Sequence, residues 1–306
     1  MALVTARERL EQGNDGVVVC SRDAHVSLTK AARVMGLKKD ALISLPVDDR
    51  GRLSAVAVQE TLSRLKAQGR PCIAVVATAG TTVRGAIDPL PALAKICRDA
   101  AAWLHIDAAI GGVFALSPIH ASLMEGISQA DSITLNPQKL LGITTASSLL
   151  LLRESGQLHQ TFSTGLPYME PASLSDHGGE TGIQGTRPAE VLKLWLGLRQ
   201  LGNNGIERTL SGALQRKAIF AGRLDPDRIK LLSGDLHLQT FHPAGMNQDQ
   251  TEAWSEHTRQ QLLTAGFMLS RPQYDDRSCL KAVFGNPHTT ETHLQDLAER
   301  INASLG

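Results

Sequence analysis

Short apolar runs and amphipathic stretches alternate along the first two thirds of the chain. The apolar runs that have strand length are residues 16–21, 41–48, 71–80, 103–109, 130–137 and 146–153. Between several of them, apolar residues recur at helical spacing, and the stretch 53–69 opens on a Ser54 cap and stops at Gly69. Strands that alternate with helices predict an α/β fold with a mostly parallel sheet and helices on both faces.

The last third of the chain changes character after Arg153. A polar, glycine-bearing stretch of about thirty residues without periodicity follows, which is long for a connector and indicates an active-site loop. A helix is predicted over 187–202, and its apolar stripe consists of Val191, Leu194, Trp195 and Leu198. We predict a large domain over 1–202 and a small C-terminal α/β domain over 203–306.

Composition excludes several classes of protein. The 306 residues are 42% hydrophobic and 20% charged, with a net charge of +1, so bulk charge indicates neither a nucleic-acid partner nor a membrane surface. Apolar runs are too short to cross a bilayer, and the start of the chain lacks a signal-peptide layout. The four cysteines have no metal spacing, and we expect them to be reduced in a cytoplasmic protein.

One lysine and one aspartate follow neighbouring predicted strands. Lys139 lies past the Asn-Pro-Gln corner in "DSITLNPQKLLG", and Asp107 ends the apolar run in "LHIDAAIGG". A lone lysine at a strand end is usually a solvated residue, but pyridoxal 5′-phosphate needs both groups. Its aldehyde forms a Schiff base with an amine, and a carboxylate keeps its pyridine nitrogen protonated. The pair therefore predicts a pyridoxal-phosphate site beyond the carboxyl ends of the strands.

Other residues at the same predicted edge fit a flat ring. His25 could stack on the ring, although it could equally be a solvated residue at a helix start. The "ATAGTT" turn around Thr82 would let backbone and hydroxyls approach the ring, although a plain strand-ending turn explains it too. Ala109 leaves room beside Asp107.

Five collinear motifs carry a family resemblance. "DAHVSLTKAARVMGL", "VVATAGTTVRGAIDPL", "WLHIDAAIGG", "DSITLNPQKLL" and "TRPAEVLKLWLGLRQLG" resemble the group II pyridoxal-phosphate-dependent amino-acid decarboxylases. The resemblance runs from residue 1 to the final predicted helix. It implies fold-type I, the aspartate aminotransferase-like fold of pyridoxal-phosphate enzymes, and decarboxylation of an L-amino acid in a cytoplasmic homodimer with the active site at the interface.

The resemblance also implies roles for individual residues. Lys139 would form the Schiff base, and Asp107 would pair with the ring nitrogen. His25 would stack on the ring and take part in catalysis. Thr82 would lie near the ring edge, and Ala109 would pack against it.

Three more residues receive roles in the same way. Asn136 would help to hold the phosphate, together with Gln138, which stands where family members usually have histidine. Glutamine can donate a hydrogen bond to phosphate but carries no charge. Tyr168, in the long loop, would return a proton to the substrate after carbon dioxide leaves; an exposed loop aromatic is the other interpretation.

The start of the chain departs from the family pattern. "MALVTARERL" resembles the later turns of a helix whose first turn grips the cofactor phosphate, so the large domain is expected to be incomplete at its N-terminus. Cofactor affinity would fall as a result. Two alternatives stay open: another pyridoxal-phosphate activity, such as an aminotransferase or lyase, and an inactive remnant or interaction subunit.

Overall fold

The computed structural model describes residues 1–144, 147–165 and 178–305. The helices are α1 (Ala2–Glu8), α2 (Ser27–Val34), α3 (Ala55–Ala67), α4 (Leu90–Asp99), α5 (Gln157–Phe162), α6 (Glu190–Ala221), α7 (Gln248–Thr264) and α8 (Glu291–Ala303). The strands are β1 (Val17–Ser21), β2 (Leu42–Leu45), β3 (Cys72–Thr78), β4 (Leu104–Ala108), β5 (Ser132–Leu135), β6 (Leu149–Leu152), β7 (Ile229–Leu232), β8 (Leu238–Pro243), β9 (Gln273–Tyr274), β10 (Arg277–Ser278) and β11 (Leu280–Val283).

Among the described residues, strands β1 to β6 form one sheet with the order β2-β1-β3-β4-β5-β6. All neighbours are parallel except β6, which runs antiparallel to β5. Each run that the apolar pattern identified as a strand in this region lies in the sheet, so the predicted mostly parallel α/β fold is confirmed. The carboxyl ends of β1, β3, β4 and β5 therefore meet at one edge.

Two apolar layers cover the two faces of this sheet. Val19 and Val75 point to the layer that includes α3, α4 and α6, whereas Val18 and Val76 point to the layer that includes α1 and α2. All four valines are fully buried, as expected for central strands of a sheet that is covered on both sides. Burial of each such valine side chain stabilises the folded state by about 1.5–3 kcal/mol.

The helix predicted over 187–202 and the helix that follows it are both present, and α6 comprises the two, joined at Gly202. Gly202 interrupts it with φ 56° and ψ −179°, a conformation that glycine adopts without steric cost. The apolar stripe predicted on its first half is only partly buried. Leu194 and Leu198 pack on the core, whereas Val191 and Trp195 are exposed.

The C-terminal part contains a second, smaller sheet. Strands β11, β8 and β7 pair antiparallel in that order, and the short strands β9 and β10 form a hairpin. A separate apolar cluster joins this sheet to α7, α8 and the end of α6, with Phe220, Phe241 and Trp254 at its centre. The domain boundary after residue 202 stays a prediction.

None of the helices in the described part of the chain has the length and apolar character that a membrane crossing requires.

Candidate active site

Lys139 and Asp107 lie at the same edge of the large sheet. Strands β4 and β5 are parallel neighbours, and Asp107 pairs in register with Thr134. Lys139 ends a single 3-10 turn, Pro137–Lys139, that begins just after β5. Adjacent parallel strands thus deliver the amine and the carboxylate to one region, as the sequence predicted.

Both groups have atoms available for a ligand. Asp107 is half-buried, and its Oδ1 accepts a hydrogen bond of 3.1 Å from the backbone N–H of Ala109. Within the described parts of the chain, Asp107 Oδ2 and Lys139 Nζ have no hydrogen-bond or ion-pair partner. A carboxylate oxygen can accept a hydrogen bond from a protonated pyridine nitrogen, and an exposed amine can condense with an aldehyde. Pyridoxal phosphate requires both groups.

Buried side chains from the β4 and β5 segments form hydrogen bonds with one another close to Asp107 in the chain. Trp103 Nε1 donates to Ser132 Oγ at 2.8 Å, and His105 Nδ1 lies 2.8 Å from the same oxygen. His105 Nε2 lies 3.4 Å from Thr134 Oγ1. Burial lowers the pKa of His105 to about 4, against the opposing effect of Asp107, so the ring is neutral at pH 7. The two ring nitrogens of His105 therefore lie against the hydroxyls of Ser132 and Thr134.

His25 lies in the loop after β1 and is exposed. Its Nδ1 is 2.9 Å from Ser27 Oγ and accepts the backbone N–H of Ser27 at 3.3 Å. Its carbonyl accepts the N–H of Leu28 at 3.1 Å. The contacts of Nδ1 with Ser27 orient the ring, and the exposure of His25 is compatible with stacking on a flat ligand; the stacking role itself stays a prediction.

The loops after β3 and β4 approach each other closely. Thr82 is half-buried in the turn after β3, and Ala109 is half-buried directly after β4. A Cβ on Gly111 would lie 2.4 Å from the carbonyl oxygen of Ala79, so only glycine permits this approach. Small residues therefore allow the loops after β3 and β4 to approach each other beside Asp107.

Asn136 and Gln138 present amide groups near Lys139. Asn136 Oδ1 accepts a hydrogen bond of 2.6 Å from Ser148 Oγ, and Gln138 Oε1 accepts one of 2.5 Å from the backbone N–H of Ser147. Because both oxygens are occupied, the NH₂ groups remain as donors. Neutral donors of this kind can bind phosphate oxygens.

Tyr168 lies outside the described residues. The chain just before that segment is held by Glu180, whose carboxylate accepts from the backbone N–H groups of Thr164 and Gly165 at 2.8 and 3.0 Å. It also accepts from the hydroxyl of Ser163, which is the largest cause of the lowering of the Glu180 pKa to about 2.

Lys281 is a site residue that sequence reasoning missed. It lies on β11, and its Nζ donates a hydrogen bond of 3.0 Å to the backbone carbonyl of Thr82. Burial, and then the charge of Lys139, lower the pKa of Lys281, so the two amines are close enough to repel. The available signal was a lysine within the apolar run "CLKAVFG".

Comparison with known proteins identifies the class of this site. The pyridoxal-dependent decarboxylase conserved domain matches residues 7–232. L-2,4-Diaminobutyrate decarboxylase of Rhizobium meliloti (strain 1021) is 33% identical over 299 residues, which cover 95% of this chain and 59% of that protein. Cysteine sulfinic acid decarboxylase of Mus musculus is 37% identical over 198 residues, 63% of this chain and 40% of that protein.

The fold agrees with these similarities. The crystal structure of mouse CSAD in apo form superimposes with a TM-score of 0.89 at 27% identity, over 99% of this chain and 68% of that one. The fold is therefore that of fold-type I pyridoxal-phosphate enzymes. The chain belongs to the pyridoxal-dependent decarboxylase family, whose cofactor is pyridoxal phosphate. It spans 59% and 40% of the lengths of the two curated relatives above.

Proposed function

We propose that this chain binds pyridoxal phosphate and catalyses the α-decarboxylation of an L-amino acid. The observation that carries the proposal is the delivery of the unpaired Lys139 amine and the unpaired Asp107 oxygen from adjacent parallel strands to one sheet edge. When bound, pyridoxal phosphate supplies an electron sink for the pair of electrons that remains when a carboxylate leaves as carbon dioxide.

Several residues of the chain have separate roles in binding the cofactor. Lys139 would hold the cofactor through its aldehyde carbon, and Asp107 would favour a protonated pyridine nitrogen, because an adjacent carboxylate favours the charged ring. His25 covers one face of the ring. Asn136 and Gln138 donate their NH₂ groups to the phosphate.

Thr82 and Ala109 complete the cofactor site. Thr82 lies at the ring edge, where its backbone carbonyl already anchors Lys281. Ala109 is small enough to pack against the ring, and its N–H orients the Asp107 carboxylate through the bond to Oδ1. A larger side chain at Ala109 would fill the space that the ring needs.

Two residues act on the substrate. Lys281 provides a positive charge beside Lys139 that can bind the substrate carboxylate before it leaves. Tyr168 donates its phenolic proton to the α-carbon after carbon dioxide departs, the role that the family resemblance implies. Lys281 would thus bind a charged group, and Tyr168 would transfer a proton, each next to the atoms that react.

An absorbance titration and an amine-product assay test this proposal. The purified chain is expected to develop a visible band on addition of pyridoxal phosphate, and Lys139→Ala is expected to lose it while Lys66→Ala, on the exposed side of α3, keeps it. Release of carbon dioxide with one equivalent of amine should follow with a suitable amino acid; 2,4-diaminobutyrate and cysteine sulfinate are the first to test, given the names of the relatives. A chain without the band would be an inactive remnant, and a keto-acid product would indicate an aminotransferase.

The proposal includes a homodimer with the site at the subunit interface. The first half of α6 exposes a contiguous apolar patch: Val191, Leu192, Trp195 and Leu196. Trp195 is 56% exposed, and an exposed patch of this kind commonly marks a protein interface. Gly197 packs on Ile143, which follows Lys139 in the chain, so the patch adjoins the candidate site.

Sedimentation velocity tests the dimer. Trp195→Glu is expected to shift the chain towards monomer, whereas Leu263→Glu, at an exposed position of α7, is not. A wild-type chain that sediments as a monomer at micromolar concentration contradicts the proposal. A cytoplasmic location accompanies the proposal as a prediction from the reduced, mostly buried cysteines.

A further inference from the structure

The turn after β3 is bound along its length by the C-terminal sheet. The carbonyl of Thr82 accepts from Lys281, and the carbonyl of Val83 accepts from Thr240. The carbonyl of Gly85 accepts the backbone N–H of Asp235 at 3.1 Å. The position of Thr82 at the candidate site therefore depends on residues from the opposite end of the sequence.

Arg84 is the centre of these contacts and is only 5% exposed. Its Nε donates to the carbonyl of Ser233 at 2.9 Å, and its Nη2 donates to Ser233 Oγ and to the carbonyl of Asp49, each at 2.7 Å. Its Nη1 donates to Tyr274 Oη at 3.2 Å. Four donated bonds fix this guanidinium, as a buried arginine requires.

The phenol of Tyr274 joins Arg84 to the loop that carries His25. Tyr274 Oη accepts from Arg84 and donates to Asp23 Oδ2 at 2.7 Å. Asp23 has a side chain that is 8% exposed and lies two residues before His25. Arg84 likewise lies two residues after Thr82, so one oxygen atom connects the two loops that hold candidate cofactor residues.

The hairpin that carries Tyr274 is built to hold it in place. Asp275 and Asp276 adopt positive φ values of 48° and 58° between the paired residues Tyr274 and Arg277, the geometry of a tight two-residue hairpin turn. Asp275 forms an ion pair of 2.8 Å with Arg22, beside Asp23. The hairpin is thus anchored on the loop after β1 by two independent contacts.

We propose that Tyr274 is a positioning residue that aligns His25 and Thr82 with the cofactor through Asp23 and Arg84. This inference rests on the proposed function, because it assigns those two residues to the cofactor site. The physical reason is that Asp23 and Arg84 are buried opposite charges bridged by a neutral hydroxyl. Within the described part of the chain, the Asp23 carboxylate without Oη keeps only the ion pair with Arg22 at 3.7 Å, and both loops lose a shared, well-placed partner.

The test compares Tyr274→Phe with Asp275→Asn. The first change removes Oη and keeps the ring, over which Arg84 and Arg22 lie at 5.5 and 5.9 Å from the centroid. The second change breaks the other anchor of the same hairpin and leaves Oη in place. Two measurements are made: amide hydrogen exchange without cofactor, and titration with pyridoxal phosphate followed by absorbance.

Tyr274→Phe is expected to speed exchange in both loops, at residues 22–28 and 81–85, and to weaken pyridoxal-phosphate binding about tenfold, the usual effect of one buried partner left unsatisfied. Asp275→Asn should leave the turn at 81–85 and the cofactor affinity near wild type. In a double-mutant cycle, Asp23→Ala should add little to Tyr274→Phe, because each change removes the hydrogen bond between Oη and the Asp23 carboxylate.

The exchange measurement separates this inference from the proposed function. If the wild-type chain binds no pyridoxal phosphate, the proposed function fails, whereas faster exchange in both loops would still show that Tyr274 positions them. Unchanged exchange at 22–28 and 81–85 would overturn the inference, and so would cofactor affinity within twofold of wild type in Tyr274→Phe.

Discussion

Lys281 Nζ donates a hydrogen bond of 3.0 Å to the backbone carbonyl of Thr82, and this contact ties an amine of the C-terminal sheet to the turn after β3 at the candidate site. The amine is half-buried, and burial lowers its pKa more than the charge of Lys139 does. Among the described residues, its one hydrogen-bond partner is the Thr82 carbonyl, and a partly desolvated ammonium group of this kind can bind a carboxylate strongly.

Replacement of Lys281 by methionine tests its role in substrate binding. Lys281→Met keeps the apolar stem and removes the charge, so KM for the amino acid is expected to rise about 10- to 100-fold, as for one charge-assisted hydrogen bond. KM is measured at saturating pyridoxal phosphate, because Lys281 also holds the backbone carbonyl of Thr82. Lys230→Met, at an exposed position of β7, is the control. An unchanged KM in Lys281→Met would exclude contact with the substrate carboxylate.

Replacement of Asp107 by asparagine tests the support of the ring nitrogen. Asparagine has nearly the same shape but cannot hold a proton on the ring, so kcat is expected to fall by about two orders of magnitude. The apo chain should unfold at nearly the wild-type temperature. Asp99→Asn, at the exposed end of α4, is the matched control. Wild-type kcat with saturating cofactor in Asp107→Asn would contradict the assignment.

The buried carboxyl of Asp88 makes stability depend on pH. Burial raises the pKa of Asp88 to about 7, although the N–H groups of Leu53 and Thr78 donate to its two oxygens at 2.7 Å. Because the folded pKa exceeds the unfolded value, the folded state binds more protons between about pH 4 and 7. The free energy of unfolding should therefore fall as pH rises through that window, by up to about 1.4 kcal/mol per pH unit.

Urea unfolding at pH 5 and pH 7.5 measures this dependence. Asp88→Asn has no titratable group at this position, so its stability should fall less between the two pH values than that of the wild type. Equal pH slopes in the two proteins would show that Asp88 is ionised throughout, with its two backbone donors outweighing the cost of burial.

Glu180 is predicted to order the chain just before the segment that contains Tyr168. The hydrogen bond from Ser163, with those from Gly165 and Thr164, lowers the pKa of Glu180 to about 2, so the ionised carboxylate holds these contacts above about pH 4.5 and loses them as pH falls towards 2. Glu180→Gln should speed amide exchange at Thr164 and Gly165 about tenfold at pH 7. Glu299→Gln, on the exposed face of α8, should have no effect there.

Much of the fold followed from the spacing of apolar residues. The runs 16–21 and 71–80 are central strands because their valines must be buried on both faces, and the structure places them as β1 and β3. The Ser54 cap was also recognisable, since its hydroxyl accepts the N–H of Ala57 at 3.3 Å. The end of the predicted helix at Gly202 followed as well, because the backbone there leaves the helical conformation. The pattern did not show that Val191 and Trp195 of the apolar stripe stay exposed, because burial depends on what packs against the helix.

The sequence likewise identified some residues of the candidate site but not others. Lys139, Asp107 and His25 could be named because each lies near or just past the end of a predicted strand, and the parallel topology brings such positions to one edge. Lys281 and Tyr274 could not be named in this way, since they reach that edge from the C-terminal sheet and its hairpin. Their pairing with Thr82 and Asp23 depends on packing between segments that are far apart in the chain.

The amino-acid sequence by itself determined the alternation of strands and helices, the residues at the strand ends and the family to which the chain belongs. These properties depend on local periodicity and on motifs that are continuous in sequence. Only the tertiary structure decided which side chains of the C-terminal sheet meet that edge, because hydrogen bonds such as Lys281 to Thr82 and Tyr274 to Asp23 exist only once the two sheets have packed.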